Sequence, residues 1–267
     1  MSPKEITSRQ NVRVKEAAKL RSRRQREKQG RFLIDGGREI LRALKAGIHP
    51  LEAFVCPKAG TSEAARAAMA RLPATSAVVA EVTPEVWEKL RFGERDDGVI
   101  VVAQTPERRL DDIRLPPHPL VAVLERLEKP GNVGAILRTA DGAGIDAVII
   151  ANPQTDLFNP NTIRASLGTV FGPRVCTATV EETVAKLRAW RLAVVAARPD
   201  AAQHYSAIDF REGAAIVLGS EAEGLSSVWQ GKDVTCARLP MRGLADSLNV
   251  SATAAVLFYE AVRQRNA

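Results

Sequence analysis

Three short stretches of the chain carry residue types suited to chemistry. The first is Glu128-Lys129-Pro130-Gly131-Asn132-Val133-Gly134-Ala135-Ile136-Leu137-Arg138. Pro-Gly breaks a preceding strand, Asn132 can cap the helix that follows, and two glycines let another backbone or a ligand approach closely. Arg138 comes six residues after Asn132, roughly one and two-thirds helical turns on, so the two occupy different faces near one loop. A plain loop with a surface arginine is the alternative. The second stretch, Ile216-Val217-Leu218-Gly219-Ser220-Glu221-Ala222-Glu223-Gly224, runs from an apolar strand into a glycine turn holding two acids. Ser220 is not a nucleophile elbow, because Ala222 stands where G-x-S-x-G needs glycine; a tight structural turn is the alternative. The third is Leu239-Pro240-Met241-Arg242-Gly243-Leu244-Ala245-Asp246-Ser247-Leu248-Asn249-Val250-Ser251. Asp246 or Ser247 can cap the last helix, and Asn249 and Ser251 then put polar groups needing partners into an apolar first turn. Capping alone would also explain them.

Each stretch follows an apolar run that reads as a strand, and in open parallel sheets ligands bind outside the carboxyl ends of strands. The runs are Leu120–Leu124, Ala147–Ala151, Leu192–Ala197, Ala214–Leu218 and Cys236–Leu239, with helical stretches between them and a long helix from about Ser247 to Arg265. Strands alternating with helices imply a parallel sheet covered on both faces. Upstream, strands are expected at Phe32–Ile34, Leu51–Cys56, Ala77–Val82 and Val99–Ala103, with helices at Arg38–Ala46, Ser62–Leu72 and from Thr83-Pro84. The proline-rich stretch from Thr105 to Pro119 denies helix and central strand alike, so it reads as a linker. The expected division is therefore residues 1–104, a linker at 105–119, and 120–267.

The 267 residues are 45% hydrophobic and 26% charged, which excludes a disordered or collagen-like chain. No apolar run is long enough to span a bilayer, and the first residues lack the core of a secretory signal. Cys56, Cys176 and Cys236 lie far apart, and with only three histidines no metal site is expected. A cytoplasmic, reducing setting is the expectation. Residues 1–31 hold eleven Lys and Arg against three Glu, a net of +8, while the remainder is close to neutral at −1. Such a block is the footprint of a protein that touches a polyanion. It is expected on a single basic helix over residues 8–30, stopped by Gly30, and deleting residues 1–31 is expected to flatten the salt dependence of polyanion binding by roughly 3 units. A doubly wound nucleotide-binding oxidoreductase is disfavoured by the absence of GxGxxG.

Taken together, PGNVGAILRTADGAG, VLGSEAEGLS and LPMRGLADSLNVSATAAVLFYE resemble the three motifs of the SpoU (TrmH-like) family of RNA 2′-O-ribose methyltransferases, part of the SPOUT superfamily. The intervening Asn159–Gly168 stretch is also similar to the family. Residues 1–104, through Phe32-Leu33-Ile34-Asp35-Gly36 and the VIVVAQ strand, resemble the L30e-like substrate-binding domain often fused to it. The resemblance implies an α/β fold whose C-terminal domain is a trefoil-knotted α/β-knot. It implies S-adenosylmethionine as cofactor, a homodimer and an RNA substrate, rRNA before tRNA, with no metal and no membrane. Leu218, Gly219, Leu239, Met241 and Leu248 would line the cofactor pocket, and Gly219→Val would fill it without disturbing the fold. Arg138, Glu221, Ser247 and Asn249 would form the catalytic set, with Asn132 supporting the first loop. The family gives the arginine the role of base. A guanidinium scarcely releases a proton, so Arg138 is expected to clamp the adjacent phosphate. Ala222 and Gly172-Pro173-Arg174 depart from the usual pattern, which bears on substrate detail. A silent RNA-binding protein that retains the fold is the alternative.

Overall fold

A computed structural model describes residues 5–60, 62–93, 96–172 and 174–266. In chain order the helices and strands are α1 (Val12–Lys19), α2 (Arg23–Gln29), β1 (Arg31–Asp35), α3 (Gly37–Lys45), β2 (Pro50–Val55), α4 (Glu63–Arg71), β3 (Val78–Glu81), α5 (Pro84–Leu90) and β4 (Val99–Gln104). There follow β5 (Leu120–Glu125), α6 (Pro130–Ala143), β6 (Ala147–Ala151), α7 (Pro160–Ala165), β7 (Val175–Ala178), α8 (Val180–Ala189), β8 (Ala193–Ala197), β9 (Gln203–His204), β10 (Ala214–Leu218), β11 (Val234–Arg238) and α9 (Val250–Arg265). The chain divides into two compact units, Met1–Glu107 with Phe158–Phe171, and Arg108–Leu157 with Gly172–Ala267.

The first unit holds a four-stranded mixed sheet, ordered β1-β4-β2-β3, in which only β2 and β3 run parallel. β4 is central and buried along Val99–Ala103, as expected of a continuous apolar run. The segment 158–171 belongs to this core. Phe158 and Phe171 stack with Phe32 of β1, at centroid separations of 4.6 and 6.0 Å, and Arg42 donates to the Leu167 carbonyl.

The expected single helix over 8–30 is two helices. Leu20 is fully buried, Ser22 is extended with φ −85° and ψ 132°, and α2 restarts after it. The buried Arg26 donates from Nη1 to the carbonyls of Leu20 and Arg21, each at 2.8 Å, satisfying backbone groups at the break. Much of the basic block is spent on the protein itself. Arg21 reaches the carbonyls of Lys89, Leu90 and Arg91 at the end of α5, Arg9 that of Glu85, and Arg13 that of Val78 together with Glu52. Ile6, Val14, Ala17 and Leu20 sit in the unit's core. Deleting residues 1–31 would therefore open that core, and the salt test expected of the deletion has to be made by substitution.

The second unit is a seven-stranded parallel sheet, ordered β7-β6-β5-β10-β8-β11-β9. β5, β6 and β10 are buried throughout. Strand order reverses at the centre, where β5 lies between β6 and β10, and such a reversal opens a crevice at the carboxyl ends. Helices α6 and α9 pack against each other. Two expected caps differ. α6 begins with Lys129 as N-cap and Pro130 in its first turn, so Asn132 lies inside the helix. α9 is capped by Asn249, whose side chain accepts from the Ser251 N–H at 2.9 Å, and not by Asp246 or Ser247. Among the described residues no helix is long and apolar enough to cross a membrane.

Candidate active site

The loops after β8, β10 and β11 lie at the carboxyl ends of three strands of the second unit and enclose a cleft of about 370 Å³, within the usual range for small-molecule sites. Leu218, Gly219, Leu239, Met241 and Leu248 all line it, together with Glu221 and Ser247. Leu248 is 41% exposed and Leu244, three residues from Ser247, is fully exposed, so this wall presents apolar surface to solvent. Beside the cleft lies a hollow of about 80 Å³ lined by Lys129, Asn132, Ser220, Glu221 and Val250.

Glu221 joins the three motif loops. Its Oε1 accepts from Asn132 Nδ2 at 3.0 Å and from Asn249 Nδ2 at 2.6 Å, while Oε2 pairs with Lys129 Nζ. Asn249 Nδ2 also reaches Asn132 Oδ1 at 3.3 Å. The Lys129 hydrogen bond, with its charge and the Asn132 amide, holds the Glu221 carboxyl below the usual glutamate range, and Glu221 in turn raises Lys129. The carboxylate is thus kept charged and fixed by groups from α6 and the N-terminus of α9.

The loop 219–225 is folded upon itself. Gly224 donates its N–H to the Ser220 carbonyl at 3.0 Å, Ser220 Oγ accepts from the Glu223 N–H at 3.0 Å, and Gly224 is left-handed at φ +67°. A Cβ on Gly219 would lie 2.5 Å from the Gly224 carbonyl carbon. The expectation that Gly219→Val fills the pocket and spares the fold is therefore corrected: the space at Gly219 is taken by its own loop, and a side chain there forces the turn open.

Arg138 stands apart. It is exposed on α6, has no hydrogen-bond or ion-pair partner among the described residues, and lines neither cavity. The helical spacing noted above explains this, since Asn132 faces the hub and Arg138 a different side. Sequence reading missed Ala197, Arg198 and Asp200, which line the cleft at the end of β8 and directly after it. Arg198 and Asp200 form a two-bond ion pair, at 3.0 Å for each contact. Position at a strand's carboxyl end was the signal available for them. Glu125 and Trp229, buried behind the second loop, were also missed.

The SpoU rRNA Methylase family model matches residues 119–259, and a model of the MRM3-like substrate binding domain matches residues 11–101. The chain is 29% identical over 259 residues to the 23S rRNA (guanosine(2553)-2′-O)-methyltransferase RlmP of Bacillus subtilis, covering 96% of this chain and 98% of that one. A crystal structure of an RNA 2′-O ribose methyltransferase superposes with a TM-score of 0.86 at 43% identity, covering 98% of this chain and 100% of the other. The SpoU methyltransferase AviRb from Streptomyces viridochromogenes, in complex with the cofactor AdoMet, superposes with a TM-score of 0.87 at 27% identity, covering 96% and 99%.

Proposed function

The chain belongs to the SpoU rRNA methylase family, and on that premise we propose that it transfers a methyl group from S-adenosylmethionine to a ribose 2′-hydroxyl of 23S ribosomal RNA. The observation that carries the reading is the meeting of three loops on Glu221 beside an apolar-walled cleft. The cleft fits the cofactor by the chemistry of its walls. Leu218, Leu239, Met241 and Leu248 offer apolar surface for an adenosine, and the carboxyls of Glu221 and Asp246 suit a ligand with positive charge on sulfur and nitrogen. When bound, S-adenosylmethionine supplies an electrophilic methyl group.

The chain's own work is alignment, which can lower a barrier by several kcal/mol, on the order of 7–11 in favourable cases. Asn132 and Asn249 hold Glu221 in place, and Ser247 borders the cleft next to Leu248. Arg138 clamps the phosphate next to the target ribose through a two-pronged guanidinium contact, leaving that phosphate or water to take the 2′-hydroxyl proton. Because Arg138 is outside both cavities of its own chain, a homodimer in which a second copy supplies this arginine completes the site. The relatives named for 23S rRNA support ribosomal RNA as substrate.

The test is transfer of labelled methyl from S-adenosylmethionine to ribosomal RNA, followed by mapping of the 2′-O-methyl. Arg138→Lys is expected to keep cofactor affinity and lose transfer by at least ~10²-fold, the scale of one positioned charge, since an ammonium cannot reproduce the fork. A near wild-type rate in this variant refutes the clamp. Cofactor binding with no transfer to any RNA identifies a silent binding protein.

A further inference from the structure

Glu125 ends β5 and is fully buried. Its Oε2 accepts from the Ser226 N–H at 3.0 Å and from Trp229 Nε1 at 3.1 Å. Its Oε1 and the Ser226 hydroxyl are both buried and have no hydrogen-bond partner among the described residues. The next residue, Arg126, is left-handed at φ +54°, an unfavourable state for a side chain with a Cβ. In a strand successive side chains point to opposite faces. The left-handed residue ends that alternation, and the Arg126 guanidinium pairs with Glu223. Glu125 and Arg126 thus grip both ends of the segment 223–226, part of the loop that lines the cleft. Trp229, which shares Glu125, is buried in an apolar cluster of the unit.

Each feature is locally unfavourable. An apolar residue at 125 would avoid a buried carboxyl with an orphan oxygen, and glycine at 126 would avoid the left-handed strain. Both sit where the end of β5 meets the second half of the loop after β10, apart from the Lys129 and Asn132 contacts to Glu221. Strain and unsatisfied groups of this kind persist where the surroundings over-determine them and function uses them. We propose that Glu125 and Arg126 are positioning residues that hold loop 219–226 in its cofactor-binding shape. This rests on the cofactor reading above, and neither residue is assigned contact with the cofactor or with RNA.

The sharpest variant is Arg126→Gly, because function and stability then separate. Glycine relieves the left-handed strain, and the exposed ion pair it removes contributes little to stability, so the melting temperature is expected to stay within about 2 °C of wild type or to rise. If releasing the grip leaves about one loop in ten in the binding shape, affinity falls about tenfold, since apparent affinity scales with the competent fraction. Calorimetry with S-adenosylmethionine on the full-length protein reads this directly. Glu223→Ala should lose affinity similarly, and the double variant no more than either alone, because both break one contact. Glu125→Leu should lose affinity while Glu125→Gln, which keeps an acceptor, retains it within about threefold; this rescue separates loop positioning from core filling.

Unchanged affinity in Arg126→Gly overturns the proposal. So does a parallel fall in affinity and melting temperature, which would mark the pair as merely structural. A wild-type protein that takes up no S-adenosylmethionine overturns the cofactor reading itself.

Discussion

Replacing Lys15, Arg24 and Lys28 together with Gln should weaken RNA binding in a way that salt reveals. Of the eleven basic residues in 1–31, Arg9, Arg13, Arg21 and Arg26 are bonded to protein carbonyls. Lys19 and Arg23 pair with Glu16 and Glu27, Arg31 bonds to Gln29, and Lys4 lies outside the described residues. Lys15, Arg24 and Lys28 are exposed, with no hydrogen-bond or ion-pair partner among the described residues. If all three meet phosphates of single-stranded RNA, at about −0.7 in log K against log salt for each, the slope becomes shallower by about 2 units. Over a fourfold rise in salt the wild type then loses roughly 20-fold more affinity than the variant. Deletion cannot make this measurement. Burial of Ile6, Val14 and Leu20 contributes about 1.5–3 kcal/mol each, so losing them removes about 5–9 kcal/mol, comparable to the whole stability of a domain. The assay is fluorescence anisotropy on a ribosomal RNA fragment across a salt series, with thermal melting as control. An unchanged slope refutes the argument and moves the RNA contact elsewhere. A lowered melting temperature would show that these side chains also brace the helices.

Three further outcomes follow from the geometry. Phe171→Ala should destabilise the first unit by about 3–5 kcal/mol, the range for truncating a buried aromatic, as read by denaturant unfolding; a cost below about 1 kcal/mol would mean the ring stack is dispensable. Asn249→Asp keeps an oxygen to cap α9 but sets a carboxylate against Glu221, so helix stability should hold while methyl transfer falls at least ~10-fold; Asn249→Ala should lose the cap as well, about 1 kcal/mol. Glu221 has its pKa lowered in the fold, so its stabilising contribution is fully present above the unfolded value of about 4.3 and is lost only as pH falls through the lower folded value. Calorimetric cofactor affinity should therefore be flat from neutrality down to about pH 5, and a Glu221-dependent decline centred above that would refute the hub.

The strands most legible in the sequence were β6 and β10, whose limits coincide with their apolar runs, because a parallel strand buried on both faces needs nothing else. β7 and β9 were not legible. β9 is two residues long, and its pairing to β11 depends on that strand's register, not on a pattern of its own. The break between α1 and α2 was hidden because residues 21–28 carry no apolar period to interrupt. In the site, the motif loops could be read from their turn residues and polar insertions. Glu125 could not. An acid ending an apolar run looks solvated until Trp229, 104 residues later, is folded against it. Gly219 was legible as a necessary glycine, but what occupies the space beside it is its own loop, which only coordinates reveal.

The interleaving of the two units bears on how the protein is made. The ribosome completes β4 while the segment from Phe158 to Phe171 still has to be synthesised, about sixty residues later. At 5–20 residues per second that interval lasts roughly 3–12 s. Throughout it Phe32 lacks both of its stacking rings, and the nascent N-terminal sheet presents an apolar face to solvent for far longer than a domain of local contacts needs to fold. The protein therefore matures in an order its linear map hides. The N-terminal unit closes only after much of the second sheet's chain has emerged, and during that wait it is a natural client for chaperones.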